Sequence, residues 1–155
     1  MANVLTIGRS PADPTLDDWY VDEVPLSGWM FWFDCDGPAP RTDGVLFTRN
    51  REDLHALLGR PATVNGARPR KVPRTLPSGR IPLYRCSQCG DLGCGAFAAR
   101  VTYARQADPA IVTWSDFAWE SDAAPEPGSD SEFAGLPPIE FDLGPYENVI
   151  RTLLT

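Results

Sequence analysis

Residues 96–119 read AFAARVTYARQADPAIVTWSDFAW, and this stretch decides the fold. Phe97, Val101 and Tyr103 fall on one alternating face of its first half. The second half, Ala110 to Trp119, is rich in β-branched and aromatic residues. Asp108-Pro109 stands between them as a turn signal. A period of two on both sides of a turn predicts neighbouring antiparallel strands. Upstream, Ile81 to Arg85 reads as a third strand of the same meander.

Working outward, the chain alternates short strands with two helices. Val4 to Ile7 is expected to be a strand, followed by a proline- and aspartate-rich loop over Ser10 to Asp18. Trp19 to Val24 and Trp29 to Phe33 read as two further strands, turning at Pro25-Leu26-Ser27-Gly28. The second of these is apolar on both faces, the pattern of a covered central strand. Val45 to Thr48 is another short strand, and Ile139 to Phe141 an edge strand. A helix is expected over Arg51 to Leu58: Asn50 suits the cap, Glu52 and Asp53 suit the first turn, and Gly59 with Pro61 end it. Its buried stripe is Leu54, Leu57 and Leu58, with His55 at the edge. A second helix follows Gly144, with Pro145 first and Tyr146, Val149, Ile150 and Leu153 on one face.

These elements predict one α+β domain spanning residues 1–155. Its sheet is mixed or mainly antiparallel, of about five to seven strands, with two helices packed on it. A chain of 155 residues that is 43% apolar buries a core without disulfide staples. Two loops interrupt it. Residues 60–80 alternate arginine and proline with no apolar period, and residues 121–138 are acidic and proline-rich.

The net charge of −7 is unevenly spread. Residues 1–53 hold ten acids and four bases, residues 54–90 no acid and seven bases, and residues 91–155 eleven acids and three bases. Such a surface repels phosphates, so nucleic acid is not the expected ligand; a basic protein is. The acids at 13–23 and 120–132 are the candidate steering groups, Asp17, Asp18, Asp22 and Glu23 foremost. Trp19 and Trp119 are the candidate anchors, because each stands at an expected strand end beside those acids. The first ten residues lack a signal-peptide pattern, and no apolar run reaches the roughly 20 residues of a membrane span. The cytoplasm is therefore the expected compartment, with no membrane partner, and clustered thiols there favour metal or catalysis over disulfides.

The chemistry concentrates in Cys86-Ser87-Gln88-Cys89-Gly90-Asp91-Leu92-Gly93-Cys94-Gly95. Cys-x-x-Cys-Gly lets two thiolates face one ion while glycine turns the chain beneath it. A closed zinc site takes four ligands. Cys86, Cys89 and Cys94 offer three, and Cys35 or His55 offers the fourth. No second Cys-x-x-Cys pair completes a zinc ribbon, and Ala99 stands where a zinc knuckle places its last ligand. Two other readings stand beside zinc. One is a tight turn whose cysteines pack as small hydrophobes. The other is thiol redox chemistry, which normally uses a helix start that Gly90, Gly93 and Gly95 disfavour.

The run Leu83-Tyr84-Arg85-Cys86-Ser87-Gln88-Cys89-Gly90-Asp91-Leu92-Gly93-Cys94-Gly95, followed by Val112-Thr113-Trp114-Ser115-Asp116-Phe117, resembles a group of small actinobacterial proteins with no assigned function. The likeness covers Leu83 to Trp119. It implies a shared site and a strand meander, and leaves the N-terminal third and the basic loop outside.

Two function classes follow. One is a non-enzymatic binding domain, such as an immunity-type antagonist or adaptor for a basic partner, with a structural or zinc-binding cysteine cluster. The other is a thiol or metal enzyme working through Cys86, Cys89 and Cys94. One histidine, no Gly-x-Ser-x-Gly elbow and no phosphate-binding loop leave chemistry under-supplied and favour binding.

Overall fold

The computed structural model describes residues 2–11, 13–32, 45–47, 50–59, 76–86, 92, 95–122, 133 and 135–155, with residues 30–32, 45–47 and 86 as backbone alone. The architecture is α+β with two antiparallel sheets. β1 (Leu5–Arg9), β2 (Asp17–Val21) and β3 (Val24–Pro25) form the small sheet. β4 (Val45–Phe47), β5 (Ile81–Cys86), β6 (Ala96–Ala104), β7 (Ile111–Glu120) and β8 (Ile139–Asp142) form the large one, in chain order. Three helices accompany them: α1 (Leu26–Trp32), α2 (Arg51–Leu57) and α3 (Leu143–Leu154).

The meander forms as its alternation predicts. β6 and β7 pair over eight positions, from Ala96 opposite Glu120 to Ala104 opposite Ile111. The α2 cap also forms as expected, with the Asn50 side chain accepting from the backbone N–H of Glu52 and Asp53. α3 begins at Leu143, one residue before Gly144, and buries Tyr146 and Ile150.

Where one sheet of about five to seven strands and two helices were expected, there are eight strands in two sheets and three helices, and one expected strand is wrong. Trp29 to Trp32 belong to α1, a helix that starts at Leu26. Leu26 and Trp29 share a helical face as readily as alternate residues share a strand face, so a short apolar run does not separate the two. The real turn lies earlier. Asp22 and Glu23 both take left-handed backbone conformations (φ 52° and 67°) and form a two-residue connection between β2 and β3. Expected residue Phe33 lies outside the described residues.

The core is aromatic. Trp114 on β7 meets Trp19 edge-on at 5.5 Å, Phe141 at 5.1 Å and Tyr146 at 6.1 Å. Phe97 stacks on Phe117 and takes Phe133 edge-on at 4.9 Å. The acidic 121–138 stretch therefore contributes to the core through Phe133 and Leu136, both buried.

Hydrogen bonds join the sheets as well as the Trp19–Trp114 contact. The Asn3 N–H donates to the Glu140 carbonyl at 2.7 Å beside a parallel bridge to Phe141. The Trp19 indole N–H donates to the Leu83 carbonyl at 2.9 Å. The Tyr84 hydroxyl donates to Asp18. The β5–β6 register shifts between Pro82 and Tyr84, leaving Leu83 unpaired in the ladder, and its carbonyl serves Trp19.

Candidate functional site

The large sheet has two unlike ends. At one end β6 and β7 are joined by the described turn 105–110. At the other, Cys86 closes β5, Gly95 opens onto β6, and Glu120 closes β7. Val45, which begins β4, lies opposite Cys86. The sequence stretches 33–44, 87–94 and 121–132 thus join the sheet at this end.

The described residues form a platform there. Leu76 and Leu92 pack on Ala96 and Ala98, a small apolar cluster separate from the main core. The Leu92 carbonyl accepts from the N–H of Gly95 at 3.1 Å and of Asp122 at 3.3 Å. Gly95 is left-handed (φ 97°), and a Cβ there would meet the Trp119 indole nitrogen at 2.3 Å, so only glycine fits under that ring.

Beside the cluster lies a buried ion group. The Arg80 guanidinium pairs with Glu120 at 3.0 Å, the two side chains being 2% and 0% exposed. Glu120 also accepts from the backbone N–H and hydroxyl of Ser78. Asp116 completes the group, taking Arg80 at 3.0 Å and Arg100 at 2.5 Å. The Arg100 hydrogen bond holds the Asp116 carboxyl below its ordinary range, with Arg80 adding to the effect. Arg80 was grouped by sequence with the solvated basic loop. It is instead a buried anchor, because an arginine this enclosed is tolerated only beside carboxylates.

The cysteine set is described in one respect: Cys86 is placed as backbone at the end of β5. Its side chain, and Cys35, Cys89 and Cys94, lie outside the described residues. Among the described residues, no three His, Cys, Asp or Glu side chains converge as a metal site. His55 sits on α2, two residues past Asp53, whose carboxylate grips Arg85 with two bonds of 2.7 and 2.8 Å. Two residues is about 200° around a helix, so His55 points away from the side of α2 that meets Arg85. The carbonyls at the end of α2 are held by Tyr103 and Arg105, at the opposite end of β6 from Gly95.

The six expected partner-binding residues do not form one surface. Trp19 is fully buried in the aromatic stack with its N–H consumed by Leu83, so it is a core residue and not an anchor. Asp18 is buried, accepting from Tyr84 and from the Trp19 N–H, so it is no steering group. Burial pushes its carboxyl above the ordinary range, against the two hydrogen bonds. Asp17 is paired with Arg9 at 3.4 Å. Trp119 is half-buried over Gly95, at the cysteine end of β7.

Asp22 and Glu23 are exposed, and they stand with acids that sequence reasoning passed over. Asp22 accepts from the Asn3 amide at 2.6 Å and the Val4 N–H at 2.8 Å. Asn3 in turn bonds the Glu140 backbone. Glu140 and Asp142 alternate with buried Ile139 and Phe141, so both point outward. That alternation was readable in the sequence. Val4, 59% exposed, lies among them. Trp119 is six residues along β7 from Thr113, the partner of Glu140, a span of roughly 20 Å.

No family model matches this chain, and neither does any curated protein or solved structure. No helix among the described residues is long and apolar enough to cross a membrane.

Proposed function

We propose that this chain is a non-enzymatic binding protein for a basic protein partner, and that its cysteine cluster is a structural zinc centre. One observation carries the first part. The arginines of the described sheet and α3 are engaged within the fold: Arg80 with Glu120, Arg85 with Asp53, Arg100 with Asp116, and Arg105 and Arg151 with Glu147. Among the described residues no arginine pairs with Asp22, Glu23, Glu140 or Asp142, so their charge faces solvent. Exposed like charge at one edge steers an oppositely charged protein into contact.

Two features support the zinc part. The spacing of Cys86, Cys89 and Cys94 suits three ligands of one ion. β4, which follows Cys35 by ten residues in the sequence, begins opposite Cys86. We therefore assign Cys35 as the fourth ligand. The cytoplasm is the compartment that suits reduced zinc thiolates.

The test begins with affinity capture from the source cells and identification of the captured protein. Glu23→Gln, Glu140→Gln and Asp142→Asn are then combined. Asp22 stays, because its carboxylate is structural; Asp142 caps α3 without a side-chain bond, and asparagine serves equally well as an N-cap residue. The triple variant is expected to associate more slowly, with a flatter salt dependence and unchanged melting. Recovery of nucleic acid with no basic protein would overturn the reading.

A further inference from the structure

Among the described residues the buried acids are Asp18, Asp53, Glu120 and Glu147. Arginine compensates three of them: Arg85 meets Asp53, Arg80 meets Glu120, and Arg105 and Arg151 meet Glu147. Asp18 is the exception. It accepts from neutral donors, the Tyr84 hydroxyl and the Trp19 backbone N–H at 2.8 Å. Neutral donors offset less of a carboxylate's lost hydration than a guanidinium does.

The elements packed around Asp18 supply no cation in its place. From β1, Gly8 stands opposite it, and Arg9 is paired with Asp17. On β2 itself, the Tyr20 hydroxyl donates to the Arg9 carbonyl. From β5, Tyr84 faces it, while Arg85 is gripped twice by Asp53. β3, α1 and β4 carry no titratable side chain.

The place of this carboxylate gives its charge a structural consequence. Asp18 stands at the seam between the two sheets, beside Trp19, whose indole N–H crosses to the Leu83 carbonyl. Once ionised, the carboxylate gains more from water than from the closed seam. Fuller hydration requires β2 to draw away from β5. The other tie between the sheets, from the Asn3 N–H to the Glu140 carbonyl, is a backbone bond that does not titrate.

We propose that Asp18 is a pH-operated latch on this seam. Protonated, it lets β2 close on β5. Ionised, it loosens the seam and frees the Trp19 indole from Leu83, while the large sheet stays intact. β2 runs into the turn that bears Asp22 and Glu23, so ionisation also loosens the strand that carries those two acids.

Hydrogen exchange of two buried indole N–H groups, read by NMR on the full chain, tests the latch. Trp19 donates across the seam, whereas Trp114, equally buried, donates to the Tyr146 hydroxyl within the core. The chemical dependence of exchange on pH is common to both indoles, so the ratio of their rates reports the seam. From about pH 5 to about pH 8 the Trp19-to-Trp114 ratio is expected to rise by about fivefold or more. In Asp18→Asn, which keeps an acceptor for Tyr84 and does not ionise, the ratio should stay nearly constant. Should that variant not fold, Tyr84→Phe carries the measurement. It leaves the ionised carboxylate one donor fewer, so the ratio at the upper pH should exceed that of the native protein. A native ratio that does not move with pH overturns the latch, since any pH effect then belongs to the whole chain. A ratio that rises equally in Asp18→Asn, or that Tyr84→Phe leaves unchanged, overturns it as well.

Discussion

The Tyr84 hydroxyl donates to the Asp18 carboxylate across the junction of the two sheets. Both groups are buried, and the neighbouring pair, Trp19 and Leu83, makes a second bond alongside. These two bonds add to the Asn3–Glu140 bond and the Trp19–Trp114 contact in holding the small sheet to the large one. The contact costs as well as contributes. Burial favours the protonated form of Asp18 and raises its pKa.

The sign of the pH effect follows from that rise. A folded-state pKa above the unfolded one means that the native state holds the proton more tightly. Through this group, stability falls as pH rises from the unfolded value through the folded one. Asp116 acts in the opposite sense, because its pKa is lowered: its contribution is present above the unfolded value and lost as pH falls. Asp18→Asn keeps an acceptor for Tyr84 and removes the titration. Denaturant unfolding at a series of pH values should show the Asn variant gaining on the native protein as pH rises. Asp18→Ala leaves the Tyr84 hydroxyl buried and unpaired, an expected loss of about 1–3 kcal/mol.

Glu120→Ala should cost more. It strips a buried guanidinium of its enclosed partner and removes the acceptor of Ser78. The expected loss is about 3–5 kcal/mol in urea unfolding. Combining it with Arg80→Met should recover much of that, because the second change removes a buried charge left with the half-exposed Asp116 as its carboxylate partner. A double variant no more stable than Glu120→Ala alone would mean that the pair does not anchor residues 78–80 to the sheet.

The meander, α2, α3 and the edge position of β8 were legible because period, caps and turn residues agreed there. Asn50, Gly59 and Pro145 mark helix ends by chemistry that needs no tertiary partner. α1 was not legible, because the apolar run Trp29 to Phe33 satisfies either period and only packing decides. The roles of Trp19 and Asp18 were hidden for a related reason. Both sit on a strand whose covering surface, β5 with its bulge at Leu83, lies more than sixty residues away. A dense run of acids read as a solvated face, yet Asp17 was paired and Asp18 enclosed. The acidic edge was half legible: Asp22 and Glu23 stood out, whereas Glu140 joins them only through Asn3.

The β2–β3 turn separates two acids that look alike. Glu23 has a left-handed backbone and makes no bond among those described, so Glu23→Gly should relieve strain and stabilise by about 0.5–1 kcal/mol. Asp22 has the same backbone but holds Asn3 and Val4. Asp22→Gly should therefore destabilise, through the loss of both bonds. Thermal melts of the two variants decide it, and equal shifts in one direction would show that the Asp22 carboxylate does not secure the N-terminus.

Gly95→Ala probes the platform beside the cysteines. A methyl group there would stand 2.3 Å from the Trp119 indole nitrogen, and the backbone already requires φ of 97°. Strain and overlap act together, so the expected loss exceeds about 1–2 kcal/mol. The indole must tilt, and because Trp119 is half-buried its fluorescence should shift toward that of a wetter ring. Trp119→Phe offers the control: with a smaller ring above position 95, the alanine should cost less than it does beneath tryptophan. Equal costs in the two backgrounds would place the strain in the backbone alone, and the tryptophan would then have no part in holding the end of the cysteine-bearing connection.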